Sequence, residues 1–317
     1  MRAGDDGTCL ADRVAVAVDA LGPLARRGVE LGPLTTYRVG GPAAVFVRAR
    51  TRDDLVRVGA AAQASGLEVL PIGRGSNMLV ADAGFAGIAV TLVDLADTLD
   101  IDPSSATVDV SAGSSLPVVA RKTAAAGLTG FEWAVGVPGS IGGAVRMNAG
   151  GHGSDMAGSL IEVTIVDLAA GSERALPAAD VGLSFRHSEL PESAVVVEAR
   201  LQLARGDRHE SERMISEIVS WRRANQPGGQ NAGSVFVNPI PGEVSAGALI
   251  DAAGLRGLRV RSAYVSDKHA NFIQVDDGGS ADDVRALMQI VRDRVAATSG
   301  HLLRSEIRLV GFGEWGH

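Results

Sequence analysis

Glycine is the feature that most constrains this chain. It supplies 40 of the 317 residues, about 13% where an ordinary globular protein has roughly 7%. Eight of these glycines lie in the 24 residues from Gly130 to Gly153, in a chain without low-complexity repeats. Glycine lets the backbone adopt positive φ or lie close to another group. The clustering favours loops that lie against a ligand, and a buried crossing between strands is the structural alternative.

Composition bounds the class of protein. Hydrophobic residues make up 46% and charged residues 21% of the 317 residues, which is typical of a globular chain with about two domains. The net charge of −7 argues against a general nucleic-acid binder. One cysteine, Cys9, excludes a disulfide framework, and the six histidines show no metal-ligand spacing, so we predict no metal. Because no apolar run is long enough for a membrane span or a signal peptide, we expect a cytoplasmic protein without membrane or nucleic-acid partners. We also expect a monomer.

Periodicity predicts an α+β chain of alternating helices and strands. Thr51 and Asp54 form a capping-box pattern at the start of one predicted helix, and Gly66 follows its end. The predicted helices span 10–22, 52–65, 115–126, 208–224, 245–253 and 281–299. The predicted strands span 43–50, 67–72, 88–93, 106–111, 161–167, 194–204 and 306–311. The best domain break lies near 204–208, where a strand gives way to a charged helix.

Two glycine-rich loops are candidates for cofactor binding. Gly73-Arg-Gly-Ser-Asn77 directly follows a predicted strand, and its small residues allow several backbone N–H groups to face one anion. It lacks the Gly-Lys-Ser/Thr ending of a Walker loop and the spacing of a dinucleotide fingerprint. A tight structural turn is an equally good interpretation of this loop alone. The second loop, residues 137–150, is denser in glycine and carries Ser140 and Asn148 as short donors.

A third loop, residues 226–239, presents Ser234 after an Ala-Gly pair. It has no Gly-x-Ser-x-Gly elbow, so a hydrolase nucleophile is not predicted. Arg186 and Glu306 are lone charges beside apolar strand residues, and His269 lies in a polar turn. Each of these residues, taken alone, is better explained by a turn-forming, solvated or internally paired side chain than by a ligand contact.

Read in order, these motifs resemble the UDP-N-acetylenolpyruvoylglucosamine reductase family (UDP-N-acetylmuramate dehydrogenases, MurB). The resemblance runs from about residue 34 to 311 and is closer to the shorter family subtype, since no tyrosine-bearing insertion lies between Arg186 and Ser234. The matching blocks are residues 36–43, 73–80, 136–150, 183–188, 232–239, 248–257, 265–272 and 303–307.

The resemblance implies a two-subdomain FAD-binding domain of the vanillyl-alcohol-oxidase (PCMH) type plus a C-terminal α+β substrate-binding domain. Residues 1–30 would form an N-terminal helical lead. The FAD-binding domain would span 31–204, with subdomains of about 31–96 and 97–204, and the substrate domain would span 205–317.

The resemblance also implies the activity. NADPH, as co-substrate, would reduce non-covalently bound FAD, and UDP-N-acetylglucosamine enolpyruvate would then be reduced to UDP-N-acetylmuramate in peptidoglycan precursor synthesis. The implied cofactor-binding residues are Arg38, Gly73, Gly75, Ser76, Asn77, Pro138, Gly139, Ser140, Gly142, Gly143 and Asn148.

Three residues would act on the enolpyruvyl group. Arg186 would bind its carboxylate, Ser234 would give a proton to C2, and Glu306 would face the same carboxylate with a pKa raised by that neighbouring charge. The substrate contacts implied by the resemblance are Arg186, Arg222, Arg223, Ser234, Asn238, Lys268 and His269.

Several positions depart from the family pattern. Arg74 lies inside the first glycine loop, Phe185 stands where tyrosine is common, Val237 stands where lysine is usual, and Arg261-Ser262 replaces a Gly-Gly-like pair. Two other functions stay open: an FAD oxidase for a small alcohol or sugar, and a non-catalytic flavin or nucleotide-sugar binding protein. Neither gives a reason for Arg186, Ser234 and Glu306 to occur together, so the reductase is favoured.

Overall fold

The computed structural model describes residues 9–95 and 98–313. Helices and strands are mixed along these ranges, which confirms the α+β class. The helices are α1 Leu10–Leu21, α2 Arg52–Ser65, α3 Leu116–Ala125, α4 Ile141–Arg146, α5 Arg208–Asn225, α6 Ala246–Ala252 and α7 Ala281–Ser299. The strands are β1 Val29–Glu30, β2 Pro42–Arg48, β3 Val69–Ile72, β4 Met78–Val80, β5 Phe85–Thr91, β6 Leu99–Asp102, β7 Thr107–Ser111, β8 Leu128–Thr129, β9 Gly150–Gly151, β10 Ser154–Asp155, β11 Leu160–Asp167, β12 Ser172–Pro177, β13 Ala194–Gln202, β14 Ala204–Arg205, β15 Arg259–Val260, β16 Ala263–Val265, β17 Ile273–Val275 and β18 Arg308–Val310.

Local capping fixes the ends of α2, as the sequence predicts. The Thr51 hydroxyl accepts a hydrogen bond from the Asp54 N–H at 3.2 Å, and the Asp54 carboxylate accepts one from the Thr51 N–H at 3.0 Å. This reciprocal pair satisfies two N–H groups that the helix itself leaves without partners. Gly66 then ends the helix with φ of 66°, a conformation that costs glycine little.

The chain forms two compact units, each built from separate segments. Of the described residues, the first contains those up to Val29, Ala43–Arg74 and Ala86–Ile215. The second contains Glu30–Pro42, Gly75–Phe85 and the described residues from Ser216 onward. The predicted break at 204–208 therefore does not coincide with the limit between the units, which falls inside α5. The domain limits given by the sequence stay a prediction.

The first unit contains two larger sheets. One has the strand order β1-β2-β5-β3, and the other has the order β12-β11-β13-β7-β6. All strands of the first sheet precede residue 96, and all strands of the second follow residue 97. Helix α1 lies on α2, where the Arg13 guanidinium donates to the Ser65 carbonyl at 3.0 Å and that of Arg57 donates to the Leu21 carbonyl at 2.8 Å. The leading helix thus covers the apolar face of a βα unit.

The second unit surrounds α7. One face of this helix is fully buried at Val284, Leu287, Met288, Val291 and Val295, the positions expected for a core-facing stripe. The antiparallel sheet β15-β16-β17 packs against it, and β18 pairs with β4 in parallel. This pairing joins residues 78–80 to residues 308–310, so the unit depends on contacts between distant parts of the chain.

The structure differs from the sequence predictions at short elements. The glycine-rich stretch from Gly130 to Gly153 contains the helix α4, which includes both Gly142 and Gly143. The last predicted strand, 306–311, is shorter and covers only Arg308–Val310. Along the described parts of the chain, no helix is both long enough and apolar enough to cross a membrane.

Candidate active site

Gly73 of the first glycine-rich loop meets Ser140 of the second within the first unit. Gly73 directly follows β3, and Ser140 directly precedes α4. A Cβ atom added to Gly73 would lie 2.3 Å from the Ser140 Oγ, so the backbone at residue 73 and the buried serine side chain are in direct contact. The loop at 139–141 is fixed by hydrogen bonds that join Leu116 to Gly139 and Ile141 to Ser114. The sequence gives no sign that these two loops are neighbours, because they lie more than sixty residues apart.

Free backbone donors make the first loop suitable for an anion. Among the described residues, no backbone or side-chain group accepts a hydrogen bond from the N–H groups of Gly73, Arg74, Gly75, Ser76 or Asn77. Consecutive N–H groups without protein partners form the kind of concavity that binds phosphate oxygens. The donor set therefore fits the diphosphate of FAD, which is the cofactor that the sequence implies.

Other glycines of these motifs are needed because another part of the protein lies too close for a side chain. A Cβ atom on Gly75 would lie 2.1 Å from the Leu34 carbonyl oxygen, and one on Gly142 would lie 2.8 Å from the Ala112 Cβ. Gly143, by contrast, is exposed, and an added Cβ would meet only the Ser140 Oγ, at 3.5 Å. Gly75 and Gly142 are thus explained by close approach of protein segments, the alternative that the sequence left open. Pro138 is exposed and Gly139 is buried.

Arg38 lines a groove in the second unit. It is exposed and has φ of 56°, and its N–H donates to the Thr35 hydroxyl at 3.1 Å. The groove has a volume of about 360 Å³ and also contains Gly40, Gly41 and Asp82. The nearby Thr36 hydroxyl is buried without a hydrogen-bond partner in the described structure. The exposed Arg38 side chain is the cation that this groove offers to a bound molecule.

Arg186 occupies a tight turn of the first unit. Ser184 and His187 bridge the turn through two backbone hydrogen bonds of 3.0 and 3.1 Å, and Arg186 has φ of 56°. Its guanidinium donates to the Gly150 carbonyl at 3.1 Å and lies 5.6 Å from the centre of the Phe185 ring. A non-glycine residue at positive φ is uncommon and costs free energy, so the surrounding turn must hold Arg186 in this conformation.

Asn148 holds this turn in place. Its amide nitrogen donates to the Ser184 carbonyl at 3.0 Å and to the Asp155 carboxylate at 3.1 Å, and its amide oxygen accepts from the Ala157 N–H at 3.0 Å. Asn148 is buried and has φ of 40°. Because both donor hydrogens and one acceptor position are used by protein, its side chain orders the segment that carries Arg186.

Ser234 and Glu306 come together within the second unit. The Glu306 N–H donates to the carbonyl of Val235 at 2.8 Å, directly after Ser234, and Phe236 pairs with Ser305 in an antiparallel bridge. The Asn77 amide donates to the Glu306 carbonyl at 3.1 Å. Two of the predicted catalytic residues and one residue of the first glycine loop are thus tied together by backbone, which the linear sequence does not reveal.

Some of the predicted UDP-binding side chains already form hydrogen bonds within the protein, and others do not. The Asn238 side-chain oxygen accepts from the Ala246 N–H at 3.0 Å, and the Lys268 amine donates to the Arg223 carbonyl. The His269 Nδ1 accepts from the Asn271 N–H at 3.3 Å, and burial lowers the pKa of His269. Arg222 is half-buried, its guanidinium forms no hydrogen bond or ion pair with another described residue, and burial lowers its pKa.

Asn271 is the residue of this region that the sequence analysis did not single out. It is 4% exposed, and its side chain forms two hydrogen bonds to the backbone of Phe236. Its position inside the block 265–272 is a sequence signal, but an asparagine in a polar turn is usually explained by the turn itself. Only the fold shows which segment it contacts.

Comparison with known proteins agrees with this arrangement. Residues 43–176 match a sequence model described as an FAD binding domain. Residues 225–310 match the C-terminal domain of UDP-N-acetylenolpyruvoylglucosamine reductase. An FAD-binding domain followed by this C-terminal domain confirms the fold expected from the sequence.

Individual relatives extend the match over nearly the whole chain. A UDP-N-acetylenolpyruvoylglucosamine reductase of Gloeobacter violaceus is 42% identical over 291 residues, which are 90% of this chain and 96% of the relative. One of Heliobacterium modesticaldum is 41% identical over 87% of this chain and 88% of the relative. The crystal structure of the reductase from Thermus caldophilus superposes with a TM-score of 0.76 at 34% identity, covering 90% of this chain and 99% of that one. The chain belongs to the UDP-N-acetylenolpyruvoylglucosamine reductase family.

Proposed function

We propose that this protein reduces UDP-N-acetylglucosamine enolpyruvate to UDP-N-acetylmuramate, with non-covalently bound FAD and with NADPH as reductant. The observation that carries the proposal is the pairing of the segment after Ser234 with the segment at Glu306, which brings together the backbones that carry a hydroxyl and a carboxyl group. An oxidase or a simple binding protein of this fold would have no need for that pair.

The first glycine loop and the neighbouring Ser140 would hold FAD. The N–H groups of residues 73–77 are available for its diphosphate, and the Ser140 hydroxyl lies against Gly73. The chemistry that bound FAD would supply is hydride transfer, from NADPH to C3 of the enolpyruvyl group. The side chains of this chain would then deal with the charge and the proton that the substrate acquires.

Ser234 would supply the proton at C2. Addition of a hydride at C3 leaves negative charge on C2 and the attached carboxylate, so an acid within hydrogen-bond reach of C2 completes the reaction. A hydroxyl is a weak acid, but an enolate is basic enough to take its proton. Glu306, on the segment paired with this one, would face the same carboxylate, where the pair of anionic groups favours protonation of the glutamate.

Arg186 would bind the substrate carboxylate. The planar guanidinium matches the two oxygens of a carboxylate, and it stabilises charge that grows during the reaction. The turn between Ser184 and His187, its bond to Gly150 and the ring of Phe185 fix the guanidinium before substrate arrives. Such preorganisation reduces the free energy needed to order the group during the reaction.

Arg222 is the best-supported contact for the UDP diphosphate. A half-buried guanidinium without a protein partner is unfavourable until an anion compensates it. Arg223 and Lys268 are exposed and lie next to it in the fold, since the Lys268 amine reaches the Arg223 carbonyl. Asn238 and His269 already have backbone partners, which makes them weaker candidates for direct contact.

Water-soluble reactants support a cytoplasmic location, and we propose that the protein works there as a monomer. NADPH and a UDP-sugar are both charged, soluble molecules, so no membrane-bound step is needed. Sedimentation analysis of the purified protein tests the monomer, and a dimer at micromolar concentration would contradict it.

The function is tested by an anaerobic visible spectrum. NADPH should bleach the flavin band, and UDP-N-acetylglucosamine enolpyruvate should restore it. A band that returns only with oxygen would favour an oxidase, and the lack of a flavin band after addition of FAD would refute the proposed cofactor. Ser234→Ala should leave bleaching intact and slow the return of the band by about 100-fold, as expected when a positioned acid is lost.

A further inference from the structure

The segment that carries Ser234 is held from two sides. On one side it forms backbone hydrogen bonds to residues 304–306: the Glu306 N–H donates to the Val235 carbonyl, and the Val237 N–H donates to the Arg304 carbonyl at 3.0 Å. On the other side, the Asn271 side chain makes the hydrogen bonds that a neighbouring strand would make. Asn271 accepts from the Phe236 N–H at 3.0 Å and donates to the Phe236 carbonyl at 2.8 Å.

The Asn271 backbone adds a third bond to the same segment. The Val235 N–H donates to the Asn271 carbonyl at 2.9 Å, so Asn271 holds the two residues that follow Ser234. Asn271 and both of these residues are buried. Buried hydrogen bonds are not weakened by water, and an amide whose donor and acceptor are both paired with one residue allows little rotation.

The residues before Ser234 are held by other contacts. The Asn231 side chain accepts from the Gly233 N–H at 3.0 Å, and Ala232 is buried. The bonds from Asn271 lie on the side that follows Ser234, so a change at Asn271 would reach the Ser234 hydroxyl through Val235 and Phe236.

We infer that Asn271 is a positioning residue for Ser234, acting through the backbone of Val235 and Phe236. This inference rests on the proposed proton transfer from Ser234. It assigns to Asn271 no contact with substrate or cofactor. Displacing a catalytic group by about 1 Å costs on the order of 100-fold in rate, so a change at Asn271 should act on the step that Ser234 serves.

Asn271→Asp provides a test with its own signature. An ionised aspartate still accepts from the Phe236 N–H but sets a carboxylate oxygen against the Phe236 carbonyl. A protonated aspartate can donate to that carbonyl and restores both bonds. The rate at which substrate restores the flavin band should thus be about 100-fold lower at alkaline pH and should recover as the pH falls, whereas bleaching by NADPH should stay within about twofold of wild type.

Two controls separate positioning from general damage. Gln63→Glu makes the same kind of change at an exposed amide of α2 that donates to the Leu168 and Ala169 carbonyls, and it should leave both steps unchanged. The FAD content and the melting temperature of each variant show whether it is folded. Should Asn271→Asp fail to retain FAD, Asn271→Ser keeps a smaller polar group and is measured instead.

A double variant tests whether Asn271 acts on the reaction through Ser234. In a Ser234→Ala background, Asn271→Asp should cause little further loss, because the group that it positions is already absent. Independent, multiplicative losses would overturn the inference, as would equal losses in both steps or a lack of recovery at low pH. Wild-type protein that substrate cannot reoxidise would instead refute the proposed function, and this inference with it.

Discussion

Arg186 combines a strained backbone with the proposed role in carboxylate binding. Its φ of 56° costs an L-residue roughly 1 to 2 kcal/mol, while its bond to the Gly150 carbonyl contributes about 1 kcal/mol. Arg186→Gly removes both terms, so the free energy of unfolding should change by less than about 1 kcal/mol. Reoxidation of the reduced flavin by substrate should fall by about 100-fold or more.

Arg186→Ala is the matched control. Alanine loses the guanidinium but keeps the Cβ atom at positive φ, so this variant should be less stable than Arg186→Gly by about 1 kcal/mol and equally slow. Urea unfolding and stopped-flow reoxidation measure the two properties. Equal stability of the two variants would show that the backbone at this turn is not strained.

Glu132 is a buried carboxyl group with a pH-dependent role in stability. It is 4% exposed and accepts from the Thr129 hydroxyl at 2.7 Å, the Gly130 N–H at 2.8 Å and the Ser211 hydroxyl at 2.6 Å. Burial on its own raises the pKa of Glu132, but the hydrogen bonds from Ser211 and Thr129 outweigh it, and the pKa lies below its usual value. The folded state therefore favours the ionised form.

The stabilisation from Glu132 should be complete above the pKa of an unfolded glutamate and disappear as the pH falls through the lower folded pKa. Glu132→Gln should cost about 1 to 3 kcal/mol of unfolding free energy at neutral pH, and the difference from wild type should shrink on acidification. Urea unfolding of both proteins across this range measures it. If the difference in unfolding free energy between wild type and Glu132→Gln grew toward low pH, the lowered pKa of Glu132 in the folded state would be contradicted.

At the scale of elements, the N-terminus of α7 is capped from a distant segment. The Asp82 carboxylate accepts from the Ser280 hydroxyl and from the N–H of Ala281 at 2.9 Å, in addition to the local cap that Ser280 gives to Asp283. Asp82→Ala should cost about 1 to 2 kcal/mol, because a cap and a favourable charge at a helix N-terminus are both lost. Thr51→Ala, which removes only the local cap of α2, should cost about 1 kcal/mol. Thermal unfolding ranks the two, and a smaller loss at Asp82 would contradict this argument.

The contact between the two glycine loops makes a second prediction at this scale. Gly73→Ala would place a methyl group 2.3 Å from the Ser140 Oγ, so the loops must move apart and the purified protein should contain less FAD. Adding Ser140→Gly to Gly73→Ala should restore part of the FAD. Gly228→Ala, where an added Cβ meets nothing within 4 Å, should bind FAD normally. FAD content is measured from the flavin absorbance. If Gly73→Ala contained as much FAD as wild type, the proposal that this loop binds FAD would be wrong.

What the sequence predicts at the element scale depends on where the determining interactions lie. The ends of α2 are set by Thr51, Asp54 and Gly66, all local, and the prediction agrees with the structure. Helix α4 was not predicted, because Gly142 and Gly143 disfavour a helix and its support comes from packing of Gly142 against Ala112. Strands of two or three residues, such as β15 and β16, carry too little periodicity to be recognised.

At the scale of the whole molecule, the second unit takes its segments from three parts of the sequence. Asn77 contacts Glu306 across 229 positions, and Tyr37 donates to the Ile273 carbonyl across 236. The sequence predicted Ser234, Glu306 and the first glycine loop through motifs, but it could not place them together, since no local pattern encodes such contacts. Asn271 was missed for the same reason.

The charge of the whole molecule sets the last prediction. A protein with net charge −7 that binds a UDP diphosphate needs a local cation to overcome the general repulsion. Arg222 is half-buried without a partner among the described residues, whereas Arg223 is exposed and its charge is screened by salt. Arg222→Gln should weaken UDP binding about tenfold, or 1.4 kcal/mol, and Arg223→Gln should weaken it less.

The salt dependence of UDP binding also distinguishes the contributions of Arg222 and Arg223. Added salt should weaken UDP binding to wild type, because salt screens the attraction between the diphosphate and the exposed cations beside it. A half-buried pair is screened less than an exposed charge, so Arg222→Gln should keep the salt dependence of wild type, whereas Arg223→Gln should show a flatter one. Calorimetric titration with UDP at low and high salt measures both quantities. If both variants had the same affinity for UDP and the same dependence of that affinity on salt, the proposal that the diphosphate binds at the end of α5 would be wrong.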